Sequence, residues 1–187
     1  MVLPTRPAAS GKLSALSLIH ISEAIRSRRS IRKYKKGVTI PEEHIQLMLE
    51  AAMMAPSAGN TRPWEFIVLE NRGLMEKITE INPYSRMLKT ASAAIIICAR
   101  PELQTGICSG FWPQDCGAAA ENLLLQAQEL GYGTCWCGMY PIQHRVEKLQ
   151  ALLNTRSIPY AVIAVGIPDQ APEARGFFDP QRVRYIK

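Results

Sequence analysis

Residues 112–141 read WPQDCGAAAENLLLQAQELGYGTCWCGMYP. The stretch predicts a long Ala/Leu-rich helix from Asp115 to Leu130, stopped by Gly131 just past its end. The helix is apolar almost all round (AAAENLLLQA), so it needs burial on most sides, and a subunit interface is one way to provide it. A strand is predicted directly behind it, from Gly133 to Gly138.

Outward from there the pattern repeats. Ala93 to Ala99 (AAIIICA) and Tyr160 to Gly166 (YAVIAVG) are unbroken apolar runs of strand length, as expected for central strands covered on both faces. Trp64 to Leu69 predicts another strand. Thr39-Ile40-Pro41-Glu42 reads as a capping box with Pro in the first turn. The helix it opens carries Ile45, Met48, Leu49 and Ala52 at i, i+3, i+4 and i+7, and Pro56 ends it. Ser22 can cap a short helix, SEAIRSR, and further helices are predicted over 73–81, 84–91 and 142–153. Strands alternate with helices, yet several turns are short, so α+β and strict α/β both fit. The tail, PDQAPEARGFFDPQRVRYIK, is too polar and Pro-rich to pack alone.

The 187 residues suit one domain with a proper core, and 47% hydrophobic against 20% charged residues excludes a disordered chain. Residues 1–20 are expected to be a leader, disordered or foreign to the mature chain; the domain is residues 21–187. No stretch approaches the roughly 20 apolar residues of a membrane span. Five cysteines, an odd count with several in apolar runs, argue for reduced thiols in a cytoplasm rather than a disulfide framework. Cys135 and Cys137 form C-x-C, with their roles open. Three scattered histidines give no zinc spacing, so no metal is expected.

The net charge of +6 calls for an anionic partner, and residues 28–36, RRSIRKYKK, concentrate it. In an extended segment Arg28, Ser30 and Arg32 point to one side, offering two guanidinium forks and a hydroxyl to a phosphate; Arg29 and Lys33 point to the other. A solvated charged face explains the same residues. Pro56, Ser57, Ala58 and Asn60 make a small-residue loop that lets a flat ligand approach, with an amide suited to a heterocycle edge, or make an ordinary connection. Near Gly138, backbone N–H groups either meet a ligand or form turns. Arg182 and Arg184 either share one side of an extended tail or belong to a frayed end. No dinucleotide fingerprint, P-loop, nucleophile elbow or triad spacing is present.

Taken together and in order, RRSIRKY (28–34), APSAGNTRPWEFIV (55–68), PYSRMLKTASAAIIICA (83–99), residues 112–141, YAVIAVGIP (160–168) and FDPQRVRY (178–185) resemble the nitroreductase family of FMN-dependent oxidoreductases. The resemblance implies an α+β fold with a mixed central sheet flanked by helices, and an intertwined homodimer with FMN at the interface. It implies that Arg28, Arg29, Ser30 and Arg32 bind FMN, Arg28 and Ser30 at the phosphate and ribityl chain and Arg32 near the pyrimidine side. Pro56, Ser57, Ala58 and Asn60 match a loop given by the other subunit. Gly138 and Met139 match the segment passing the flavin N5 edge, and Arg182 and Arg184 the basic residues approaching the phosphate. Hydride would pass from NAD(P)H through flavin N5 to a nitroaromatic, quinone or similar small acceptor, in ping-pong fashion, with no side-chain nucleophile. A non-catalytic flavin-binding or storage module is the alternative; a nucleic-acid binder would need a basic stripe interleaved with aromatics. Three features depart from the family pattern: the short chain, Arg62 in place of a neutral polar residue, and the leader.

Overall fold

The computed structural model describes residues 22–173 and 175–187; the expected leader lies outside them. Four helices and four strands carry the fold: α1 (Glu42–Met53), β1 (Trp64–Leu69), α2 (Arg72–Ile81), β2 (Ala93–Ala99), α3 (Trp112–Glu129), β3 (Gly133–Gly138), α4 (Gln143–Leu153) and β4 (Ile158–Gly166). A helical segment over 22–27 precedes them. Short 3₁₀ turns connect them at Ala58–Asn60, Pro83–Lys89, Pro101–Leu103 and Gly106–Cys108, with another in the tail at Pro180–Arg182.

The sheet order is β1-β2-β4-β3, and every adjacent pair is antiparallel. The two apolar runs occupy the two central positions. Side chains alternate along β2, as a pleated strand requires. Ile95 and Ile97 pack on one face with α1 and α3; Ala94, Ile96 and Cys98 pack on the other with Met75, Ile78 and Leu149 of α2 and α4. Each isoleucine is fully buried and contributes about 1.5–3 kcal/mol by leaving water. The arrangement is α+β, a helix-covered sheet.

Several expectations change: the helix expected over 84–91 is the 3₁₀ turn Pro83–Lys89, α3 begins three residues early at Trp112, and α1 ends at Met53, before Pro56. The mixed sheet reduces to one parallel bridge, Ser30 to Thr134, because the chain leaves the β3 edge after that contact and pairs next, antiparallel, at Tyr34 and Pro168. The capping box does not form: Ile40 is drawn into the core at 3% exposure, and extended Pro41 immediately precedes the helix without a side-chain cap. Thr39 is thereby left too far from the first turn to cap it.

The basic segment is fastened along the β3 edge. The Ile31 N–H donates to Thr134 O at 2.8 Å, and the Lys35 N–H to Ile167 O at 2.9 Å. Ile31 and Tyr34 are buried, and the Tyr34 hydroxyl donates to Ile31 O at 2.7 Å. Gly133 is required here by close approach, since a Cβ would lie 2.6 Å from Ile31 Cγ1. The apolar residues within RRSIRKY thus anchor the segment while its polar residues border a cleft.

Candidate cofactor site

That cleft encloses about 1070 Å³ and is lined by Arg26, Arg28, Arg29, Ser30 and Arg32 on one side and residues 170–173 and 175–177 on the other. A second hollow of about 330 Å³ adjoins it, lined by Asn82, Tyr84, residues 135–138, Tyr140, Ile142 and Arg145. Arg32 lines both. The structure therefore brings Arg28, Arg29, Ser30 and Arg32 to one cleft and Gly138 to a second hollow that shares Arg32 with it.

The arginines are not equivalent. Arg28 Nε lies 3.4 Å from Glu121 Oε1 of α3, an ion pair that orients its fork. Arg29 was expected on the opposite side; it folds back instead, donating through Nη1 to Arg26 O and Arg28 O, each at 2.6 Å. Arg32 makes only a long 3.5 Å contact to Ser30 O, leaving most of its donors for a ligand. Beneath Arg32 the Cys135 thiol is drawn below its ordinary range, first by a hydrogen bond from Cys137 and then by the guanidinium, against the effect of burial. The same bond and burial push Cys137 up.

Met139 is fully buried, and its N–H donates to Tyr160 O at 3.0 Å, so it supports the groove rather than facing it. Gly138 O accepts from Asn82 Nδ2 at 3.3 Å. Pro56, Ser57, Ala58 and Asn60 do not line either hollow. Their loop is held rigidly elsewhere: the Ala58 N–H donates to both oxygens of buried Asp115 at 3.2 Å, and Gln104 Nε2 donates to Asp115 Oδ2 at 2.7 Å. Arg62 donates through its N–H to Ser57 Oγ at 3.0 Å and through Nε to Asn60 Oδ1 at 3.1 Å, which leaves Asn60 its amide hydrogens to offer. Arg182 pairs with Asp179 at 3.0 Å, and Arg184 is exposed, both away from the cleft.

Asn82, Tyr84, Tyr140, Arg145 and Arg175 were not anticipated. Asn82-Pro83 is a turn signal, and Tyr84 falls inside a segment that carried the resemblance; nothing in the local pattern marks Arg145. Among the described residues no group of three or more His, Cys, Asp and Glu could hold a metal, and no helix is long and apolar enough to cross a membrane.

The profile of the nitroreductase family matches residues 25–85 and 80–167. The chain belongs to the nitroreductase family. A relative in Methanothermobacter thermautotrophicus, provisionally named an NADH dehydrogenase/NAD(P)H nitroreductase, is 45% identical over 95% of this chain and 91% of that protein. The crystal structure of a provisionally assigned NADH oxidase from Clostridium acetobutylicum shares 43% identity, covers 88% of this chain and 99% of that one, and superposes with a TM-score of 0.81. A nitroreductase-like protein of Desulfovibrio desulfuricans, solved in complex with FMN, shares 26% identity over 89% and 96% of the two chains with a TM-score of 0.76. This nitroreductase-family chain spans nearly the full length of all three, so its brevity is a property it shares with them.

Proposed function

We propose that the chain is an FMN-dependent oxidoreductase that takes hydride from NAD(P)H and passes it to a nitroaromatic, quinone or similar small acceptor. The observation carrying this is a cleft with five arginines that shares Arg32 with a hollow lined by Tyr84, Trp136, Tyr140 and the end of β3. The donor set fits FMN. Guanidinium forks and the Ser30 hydroxyl match a dianionic phosphate, and the flat β3 edge from Cys135 to Gly138 suits a planar ring. FMN, when bound, supplies the redox chemistry at N5.

The chain's own residues bind, orient and exclude water. Arg28, held by Glu121, and Ser30 grip the phosphate end. Arg32, which lines both hollows, would hold positive charge near the flavin's pyrimidine side and so favour uptake of electrons there. No side-chain nucleophile is needed, in agreement with the absence of any triad pattern.

The site is completed by a second copy. Pro56, Ser57, Ala58, Asn60, Arg182 and Arg184 lie outside the groove of their own chain. The tail exposes Phe177 at 81%, Phe178 at 74%, Tyr185 at 80% and Ile186 at 84%, an apolar surface suited to a partner. A homodimer would bring loop and tail of one copy to the groove of the other. Five unpaired cysteines agree with a cytoplasmic setting.

The test is anaerobic reduction of a preparation sized in solution. Expected is a yellow species at twice the 20.8 kDa chain mass, bleached by NADH or NADPH and re-oxidised by a quinone or nitroaromatic. A colourless protein that gains no flavin bands with FMN contradicts the reading. A yellow protein inert to both nicotinamides would make it a flavin-storage module.

A further inference from the structure

Arg145, in the first turn of α4, lines the smaller hollow and not the basic cleft. Its Nε is shielded from solvent and has no hydrogen-bond partner. Its Nη1 makes only a long 3.4 Å contact to Gly138 O. Its guanidinium stands 5.7 Å from the centroid of the Tyr84 ring. No described carboxylate pairs with it, and the hollow contains two guanidinium groups, Arg145 and Arg32, with no Asp or Glu in its lining. Arg145 is half-buried with its Nη1 end exposed, so its fork keeps donors that an anionic group entering the hollow can accept. The surrounding surface is aromatic: Tyr84 is 78% and Tyr140 37% exposed, ready to stack on a flat molecule.

We propose that Arg145 selects the hydride acceptor, and that the preferred acceptors are planar aromatic molecules carrying an anionic substituent such as a carboxylate. This rests on the oxidoreductase reading above. The anionic group would accept charge-assisted hydrogen bonds from Arg145 at the Gly138 end of the hollow.

The test is equilibrium binding to the oxidised FMN holoprotein, by calorimetry, of benzoate against its neutral isostere benzamide. Benzoate binds at least tenfold more tightly to the wild type, and the preference shrinks as salt rises. Arg145→Gln brings the ratio close to one, and Arg145→Lys keeps part of it. With 4-nitrobenzoate and 4-nitrobenzamide as acceptors, the ratio of their KM values moves in the same direction. Absence of a preference in the wild type, or its survival in Arg145→Gln, overturns the proposal. So does a fall in FMN affinity in Arg145→Gln, which would assign Arg145 to the cofactor, or a rise in KM for NADPH with the acceptor ratio unchanged, which would assign it to the donor. Should Arg145→Gln not fold, the wild-type preference and its salt dependence decide alone. A protein that never takes up flavin sinks the functional reading; a yellow one indifferent to benzoate sinks only this inference.

Discussion

Cys98 and Cys116 stand on β2 and α3 with no exposed surface, and burial pushes both thiols up to about 12. Glu65 and Asp115 add to the rise at Cys98 and Cys116 respectively. Their ordinary value is 9.0. Between these values the unfolded chain releases thiol protons that the native chain keeps, so the native state binds more protons and loses stability as pH rises. The contribution is intact below pH ~9 and is lost progressively toward pH ~12, at up to about 1.4 kcal/mol per pH unit for each thiol. Buried Tyr34, raised chiefly by desolvation, acts in the same direction. Denaturant titrations at pH 7.5, 9 and 10 check this: the midpoint should hold to about pH 8.5 and then fall, and an unchanged midpoint at pH 10 would contradict it. The sequence alone marked these thiols as small apolar core residues, because AAIIICA and the Ala-rich helix permit little else. It could not show that Arg29 turns back onto carbonyls, since an alternation rule fixes the direction of Cβ and not the path of a long side chain.

At the scale of elements, the buried carboxylate of α3 fixes the loop that precedes β1. Asp115 is 7% exposed and holds the Ala58 N–H and the Gln104 amide together. The loop needs this support because Gly59, Asn60 and Arg62 all take left-handed backbone, with φ of 59°, 54° and 49°. Asp115→Ala removes the acceptor and leaves two donors unsatisfied, at a cost of about 2–3 kcal/mol. A melt should show a midpoint lower by about 5–10 °C, whereas a shift below 1 °C would mean that the loop stands without Asp115. Strand type was legible for all four strands: β1, β2 and β3 match their predicted bounds, and β4 begins two residues before the predicted Tyr160, at Ile158. Boundaries governed by tertiary burial were not. Ile40 entering the core displaced the predicted cap, and strand direction, which no local pattern encodes, proved antiparallel throughout.

For the whole molecule, half of the candidate site was legible because it is one contiguous motif. RRSIRKY carries its own anchors, Ile31 and Tyr34, and its Arg28, Ser30 and Arg32 line the cleft together, while Arg29 turns back onto backbone carbonyls. Arg145, Asn82 and Tyr84 were not legible because they converge from separate elements onto the end of β3. The loop at 56–60 and the arginines at 182 and 184 line neither hollow of their own chain, and it is only under the proposed homodimer that they join the groove of a second copy. Everything in the proposed function depends on the basic cleft gripping a phosphate and not merely facing water. The direct measurement is the affinity of the apoprotein for FMN against riboflavin, which differ only by that phosphate, in the wild type and in Arg28→Ala. The account predicts that FMN binds at least a hundredfold more tightly than riboflavin. Arg28→Ala should weaken FMN by about 1.5–3 kcal/mol, the worth of a hydrogen bond to a charged group, and leave riboflavin nearly unchanged. Equal affinity for the two flavins, or an FMN affinity indifferent to Arg28, would contradict it.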